Sequence, residues 1–270
     1  MIISSARRGL VIGLLVCASS LSTTAAAAAH PRPLPEGPAG PAGRLPDGRI
    51  ARPPRLPARQ PKSRCRRAAY GPKFYAPGSG KTVALTFDDG PGKSTWSILQ
   101  ILQKYRVPAT FFNLGVNAAA RPHLLRYELA RGYVLGNHTW DHEDLVNLSA
   151  SRQAREMDEM SAEQQRITGT RPCLFRPPYG AYNRTTLRLA QERRMRVWLW
   201  SVDTEDWKAD GSGAAFWVDR IIRLAEDEGI RLRNPVVLMH NQPIGNPATV
   251  HALPAIIRFF QRHHYHFVKL

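Results

Sequence analysis

The chain has 270 residues, 43% of them hydrophobic, which is enough apolar material for a real core and excludes global disorder. Lys and Arg number 38 against 21 Asp and Glu, a net charge of +17, of which +10 falls in residues 1–72 and +7 in residues 73–270. Three cysteines with no CxxC pair exclude a disulfide-dense mini-protein and leave no zinc-finger or thioredoxin-type signature.

In chain order, residues 1–29 read as a secretory signal peptide. Arg7 and Arg8 give the charged start, Leu10–Ala18 a short apolar stretch, and Ala25–Ala29 small residues for cleavage before His30. Two other readings stay open: an uncleaved anchor over Gly9–Ala29, whose Ala-, Ser- and Thr-rich second half suits a stable span poorly, and a twin-arginine form of the signal. The expected location is secreted or extracellular, in association with a cell wall. Residues 30–73 form a linker in which Pro31, Pro33, Pro35, Pro38, Pro41, Pro46, Pro53, Pro54, Pro57, Pro61 and Pro72 alternate with arginines. Proline at this density removes backbone donors and blocks helices, so the segment is expected to be extended, a spacer with electrostatic adhesion to an anionic wall. No nucleic-acid-binding module is recognisable, and nucleic acid is not expected as a partner. Once Cys17 leaves with the signal, Cys65 and Cys173 remain, either as a disulfide, which an exported chain can form, or as two free thiols.

Residues 74–270 alternate between short apolar runs and helix-period stretches. Strands are expected at Thr82–Phe87, Ala109–Leu114, Tyr133–Leu135, Cys173–Phe175, Arg196–Val202, Pro235–Met239 and Tyr265–Val268. Helices are expected around Ile98–Tyr105, Arg121–Arg131, Ser151–Ile167, after Asn183, and over Ala214–Glu228 and His251–His263. Seven strands with helical crossovers give an α/β fold with a parallel sheet, either an open doubly wound sheet or an incomplete barrel.

The polar residues of this segment are not scattered. Asp88 and Asp89 end the first strand, His138 and His142 follow the third, Arg176 ends the fourth, Asp203 and Asp206 follow the fifth, and His240 ends the sixth. In a parallel sheet the C-terminal strand ends share one rim, so these groups converge. Adjacent carboxylates after an apolar strand are costly unless paired or metal-bound; Gly90–Pro91 is expected to break the strand and turn both toward the rim. His138 and His142, spaced i, i+4 on one turn, offer two nitrogens to one side. Two histidines and one carboxylate suit a divalent metal with open positions. If Asp89 is the ligand, Asp88 is free to act as a base beside a metal-bound water, Arg176 can hold it charged, and His240, kept protonated by Asp206 or Asp203, can act as the acid.

Five segments carry a resemblance: Thr86-Phe87-Asp88-Asp89-Gly90, His138-Thr139-Trp140-Asp141-His142, Arg176-Pro177-Pro178-Tyr179, Asp203-Thr204-Glu205-Asp206-Trp207 and Leu238-Met239-His240. Residues 80–270 resemble the NodB-like polysaccharide deacetylases, carbohydrate esterase family 4, whose five motifs stand here in order. The resemblance implies a distorted, incomplete (β/α) barrel of about seven parallel strands and a metal-dependent deacetylase working on an acetylated polysaccharide as a monomer. It implies Asp88 as general base; Asp89, His138 and His142 as metal ligands, with zinc as the ion; and Arg176 as the residue tuning Asp88. It also implies an oxyanion contact from the Tyr179 amide, His240 as general acid beside Asp206, and Trp207 and Leu238 as walls of the acetyl pocket. Competing readings are a non-haem iron oxygenase, an inactive glycan-binding module and a basic polyanion-binding protein. Peptidoglycan, chitin and acetylated xylan all stay open as substrates.

Overall fold

The computed structural model describes residues 65–66, 68–241 and 246–270. The expected signal segment and residues 30–64 of the linker lie outside the described residues. Among the described residues eight strands and seven α-helices follow in the order β1 Thr82–Gly90, α1 Thr95–Tyr105, β2 Thr110–Asn113, α2 Gly115–Ala120, α3 Pro122–Ala130, β3 Val134–Asn137, α4 Ala150–Thr168, β4 Leu174–Phe175, α5 Arg184–Glu192, β5 Arg196–Val197, β6 Val202–Asp203, α6 Ala215–Gly229, β7 Val236–His240, α7 Pro247–Arg262 and β8 His266–Phe267. Paired strands are parallel, in the order β5-β4-β3-β2-β1-β7-β6, with β8 against the start of β1.

Two faces of β1 explain the layers. Val83, Leu85 and Phe87 join the apolar layer beneath α1, α6 and α7, while Ala84 joins Phe112, Leu174, Trp198 and Val236 in a separate cluster inside the curved sheet. The alternate positions Thr86 and Asp88 continue that inner row, as the period of two requires. In β7 the outer row is Val237 and Met239 and the inner row Val236, Leu238 and His240. Inner residues are small where large neighbours cross them: a Cβ on Gly136 would fall 2.4 Å from the Phe112 ring.

The expected single strand Arg196–Val202 is instead two. β5 pairs with β4 and β6 pairs with β7, so one run of chain supplies both edges of the sheet and nearly closes the barrel. The break has a side-chain cause. The Trp198 and Leu199 carbonyls turn inward to accept from Arg176, at 3.1 and 3.0 Å, and so leave the strand ladder. Residues before β1 cover the seam: Lys73 bridges Trp198, Tyr75 bridges Pro235, and Ala76 packs inside. Cys65 and Cys173 are a disulfide with Cα atoms 5.2 Å apart, which fixes the start of this strap to the chain entering β4. The sequence pattern missed α2, whose Gly-Val-Asn-Ala-Ala-Ala run is too short to show helical periodicity.

Candidate active site

The two aspartates reach the same rim by a route other than the expected strand break. β1 runs on through Gly90, and its register to β2 slips between Asp88 and Gly90. Asp89 is the extra residue of this bulge, with φ +68°, a left-handed conformation that costs a non-glycine residue on the order of 1–2 kcal/mol. The bulge cancels the alternation that would send neighbouring side chains to opposite faces. Its geometry is held from outside, since Asn117 of α2 donates to the Asp89 carbonyl at 2.7 Å. Gly90 is required because a Cβ there would meet the Asn241 amide at 2.3 Å.

His138 and His142 do not share a helical turn. Residues 138–144 form an irregular loop in which Thr139 and His142 take φ of +73° and +70°. Asn137 fixes the loop's start, donating to the Met157 carbonyl and Ser161 and accepting from the Thr139 amide. Glu156 of α4 accepts from the Trp140 and Asp141 amides. The result places His138 Nε2 and His142 Nε2 each 3.4 Å from Asp89 Oδ1, with the three ligand atoms within 4.8 Å of one another.

This trio fits a divalent cation on its own chemistry. Asp89 Oδ1 is buried and has no hydrogen-bond partner, an orphaned charge that a cation would satisfy. His138 Nδ1 lies 2.7 Å from the Arg176 carbonyl; donating there, it leaves the Nε2 lone pair facing Asp89. Burial, then the neighbouring His138, pushes His142 down to about 4, so its imidazole is neutral and able to ligate at pH 7. Burial opposes the charge on Asp89, yet the neighbouring His138 and the positive charge of His240 outweigh it and hold this carboxylate below its ordinary range. A second trio, Asp141, Glu143 and Glu156, also gathers carboxylates. There Arg152 supplies the positive charge, with Nε 3.3 Å from Glu143 and 3.6 Å from Glu156.

Asp88 sits between the trio and Arg176. Its Oδ1 accepts from Arg176 Nη1 at 2.7 Å, while Oδ2 lies 3.7 Å from His138 Nε2. Arg176 is wholly buried, and the cost of that burial is offset by bonds to Asp88, Thr86 and two carbonyls and by the Phe112 ring, 4.1 Å from the guanidinium. It is therefore a rigid clamp on the Asp88 carboxylate. Across β1, in direct register with Asp88, stands His240. Its Nδ1 is 2.6 Å from Asp206 Oδ1, and its amide donates to Asp206 Oδ2 at 2.8 Å. Thr249 also donates to Asp206, and Asn246 donates to its carbonyl. Burial alone would lower the His240 pKa, but the charge and hydrogen bond of Asp206 raise it to about 9. Asp203 plays a different part, accepting the Glu205 amide at 2.8 Å in the turn before Asp206.

Tyr179 lies in a short 3-10 turn at φ +60°, is 67% exposed, and packs its ring edge-on to His142 at 4.6 Å. Trp207 stands half-exposed beside Asp206 with the Lys208 ammonium 5.0 Å from its ring, and Leu238 is buried in the inner row of β7. Asn117, Asn137, Glu156, Asn246 and Thr249, which hold the site in place, were not legible in the sequence. Each acts through a backbone group or a carboxylate that only the folded chain brings near.

Three comparisons bear on these residues. The sequence pattern of a family described as polysaccharide deacetylase matches residues 75–198. A peptidoglycan-N-acetylglucosamine deacetylase of Bacillus cereus is 35% identical over 190 residues, 70% of this chain and 66% of that protein. The peptidoglycan-N-acetylmuramic acid deacetylase PdaC of Bacillus subtilis is 40% identical over 148 residues, 54% of this chain and 31% of that one. The chain thus spans less than two thirds of the length of either relative. The crystal structure of a peptidoglycan N-acetylglucosamine deacetylase superposes with a TM-score of 0.69 at 33% identity, covering 74% of this chain and 91% of that one.

Proposed function

Because this chain belongs to the polysaccharide deacetylase family, we propose that it is an exported hydrolase that removes acetyl groups from N-acetylated sugars of peptidoglycan. The observation that carries this reading is the gathering of Asp88, Asp89, His138 and His142 at one point, with Arg176 clamped to Asp88 and Asp206 to His240. Asp89, His138 and His142 would hold a divalent ion, zinc by the nitrogen-rich character of the set. Bound there, such an ion acidifies water and polarises a carbonyl oxygen. Asp88, oriented by Arg176 through Oδ1, takes the proton of the attacking water on Oδ2. The Tyr179 backbone N–H donates to the oxyanion as it develops. His240, protonated through Asp206, delivers its proton to the departing amine nitrogen, so acetate leaves and a free amine remains. Trp207 and Leu238 wall the acetyl methyl group.

The names of the relatives favour peptidoglycan over chitin and acetylated xylan, and the oxidised Cys65–Cys173 pair supports export. An inactive glycan-binding module is disfavoured because base, acid and all three ligands stand together. The test is acetate release from peptidoglycan, chitin oligomers and acetylxylan by zinc-reconstituted protein, with and without chelator. Chelator-sensitive release, highest on peptidoglycan, is expected. No release from any of the three would refute the hydrolase reading, and a preference for xylan would move the activity to ester cleavage.

A further inference from the structure

At the opposite mouth of the barrel lies a cleft of about 800 Å³, a size that accommodates a ligand. It opens at the N-terminal ends of the strands: Arg196 begins β5, Cys173 directly precedes β4, and Gly78 lies just before β1. Arg66, Lys73, Arg194 and Arg196 line it together with Tyr75 and Trp198, and among the described residues no carboxylate does. None of the four cations forms an ion pair among the described residues, whereas Arg193, Arg166 and Arg188 pair with Asp158, Glu163 and Glu192. The Arg196 Nε is buried with no acceptor. A buried guanidinium nitrogen left without a partner is costly, and an anion held by the rest of this cleft-lining side chain would offset part of that cost. The Cys65–Cys173 disulfide lies in the cleft wall, and in the sequence two further cations, Lys62 and Arg64, come just before Cys65.

We infer that this cleft, which faces away from the catalytic rim, is a binding site for an anionic phosphodiester polymer of the cell wall. Guanidinium forks match phosphate oxygens in geometry, and three of them beside one ammonium suit a chain of repeated charges better than a single ion. Holding the polymer at this end leaves the rim open to a second, glycan strand. The choice of a wall polymer rests on the proposed function; the anion site does not.

The test uses the full-length protein and poly(glycerol phosphate) at about 150 mM salt, where exposed charges more than about 8 Å apart are screened. Lys73→Glu/Arg194→Glu changes two exposed cleft residues. Arg155→Glu/Arg223→Glu makes the same change in net charge on exposed residues of α4 and α6. Thermal melting confirms that both variants fold. The cleft variant should bind at least about tenfold more weakly and the control within about twofold of the original protein. Equal losses in the two variants, or no loss in either, would overturn the site. Duplex DNA at equal phosphate concentration forms a third arm. Tighter binding of DNA, lost with the same two substitutions, would assign the cleft to nucleic acid and overturn the wall polymer. Acetate release from a small soluble substrate, measured separately, should be unchanged in the cleft variant, so failure of binding and failure of the deacetylase reading are told apart.

Discussion

Glu128, on α3, is fully buried, and among the described residues its carboxyl has a single hydrogen bond, from Asn113 Nδ2 to Oε2 at 2.8 Å. Its Oε1 and the Asn113 Oδ1 are both buried without a partner. A proton on Glu128 resolves both, because Oε1–H can then donate to Asn113 Oδ1 and close an acid–amide pair. Burial pushes the Glu128 pKa up to about 8, against the Asn113 bond, which lowers it. Between an unfolded value near 4.5 and the folded value, the folded chain keeps a proton that the unfolded chain has released, so stability falls as pH rises. Provided that the folded value stays above about 7, the loss from pH 5 to 7 is set by the unfolded value alone. At about 1.4 kcal/mol per unit it comes to roughly 2.5 kcal/mol, or about 5–10 °C in Tm for a domain of this size. Glu128→Gln reproduces the protonated form and removes this dependence. Melting both proteins by calorimetry from pH 5 to 7 should show Tm values that nearly match at pH 5, with the variant higher by several degrees at pH 7. A difference that does not change with pH would refute the neutral-acid account. The pair bears on the site because the Asn113 carbonyl accepts the His138 amide.

Asp88→Asn and His240→Ala should each lower turnover by roughly two to four orders of magnitude while zinc content, measured by atomic absorption, stays near one per chain; near-original rates would remove either residue from the mechanism. Asp206→Asn takes away the largest influence raising His240 to about 9, leaving burial to lower it against the weaker pull of Asp89 and Asp88. The alkaline limb of kcat/KM against pH should therefore move to lower pH, and a limb that stays in place would separate it from His240. Replacing Cys65 and Cys173 together by Ser opens a loop of 108 residues and should cost up to about 4 kcal/mol, seen as a lower Tm. An unchanged Tm would show that the strap holds without the disulfide.

The alternation of strand and helix, and the rim to which the chemistry converges, were legible because both depend on local pattern. Apolar runs at Thr82–Phe87 and Pro235–Met239 read as buried strands, and polar residues directly after them must lie at strand ends whatever the fold closes into. Residue type and order pointed to His138, His142 and one of two adjacent aspartates; the choice of Asp89 came from the family resemblance. What sequence could not determine depends on groups far apart in the chain. The bulge that aims Asp89 with Asp88 is held by Asn117, 28 residues on, and the His138–His142 loop by Glu156. The break between β5 and β6 exists because Arg176, buried against Asp88 across 88 residues, draws the Trp198 and Leu199 carbonyls out of the ladder. A period-of-two pattern reports which face a residue takes in a regular strand. It cannot report where a buried cation demands that the strand give up its hydrogen bonds, and that demand is made only when the barrel closes.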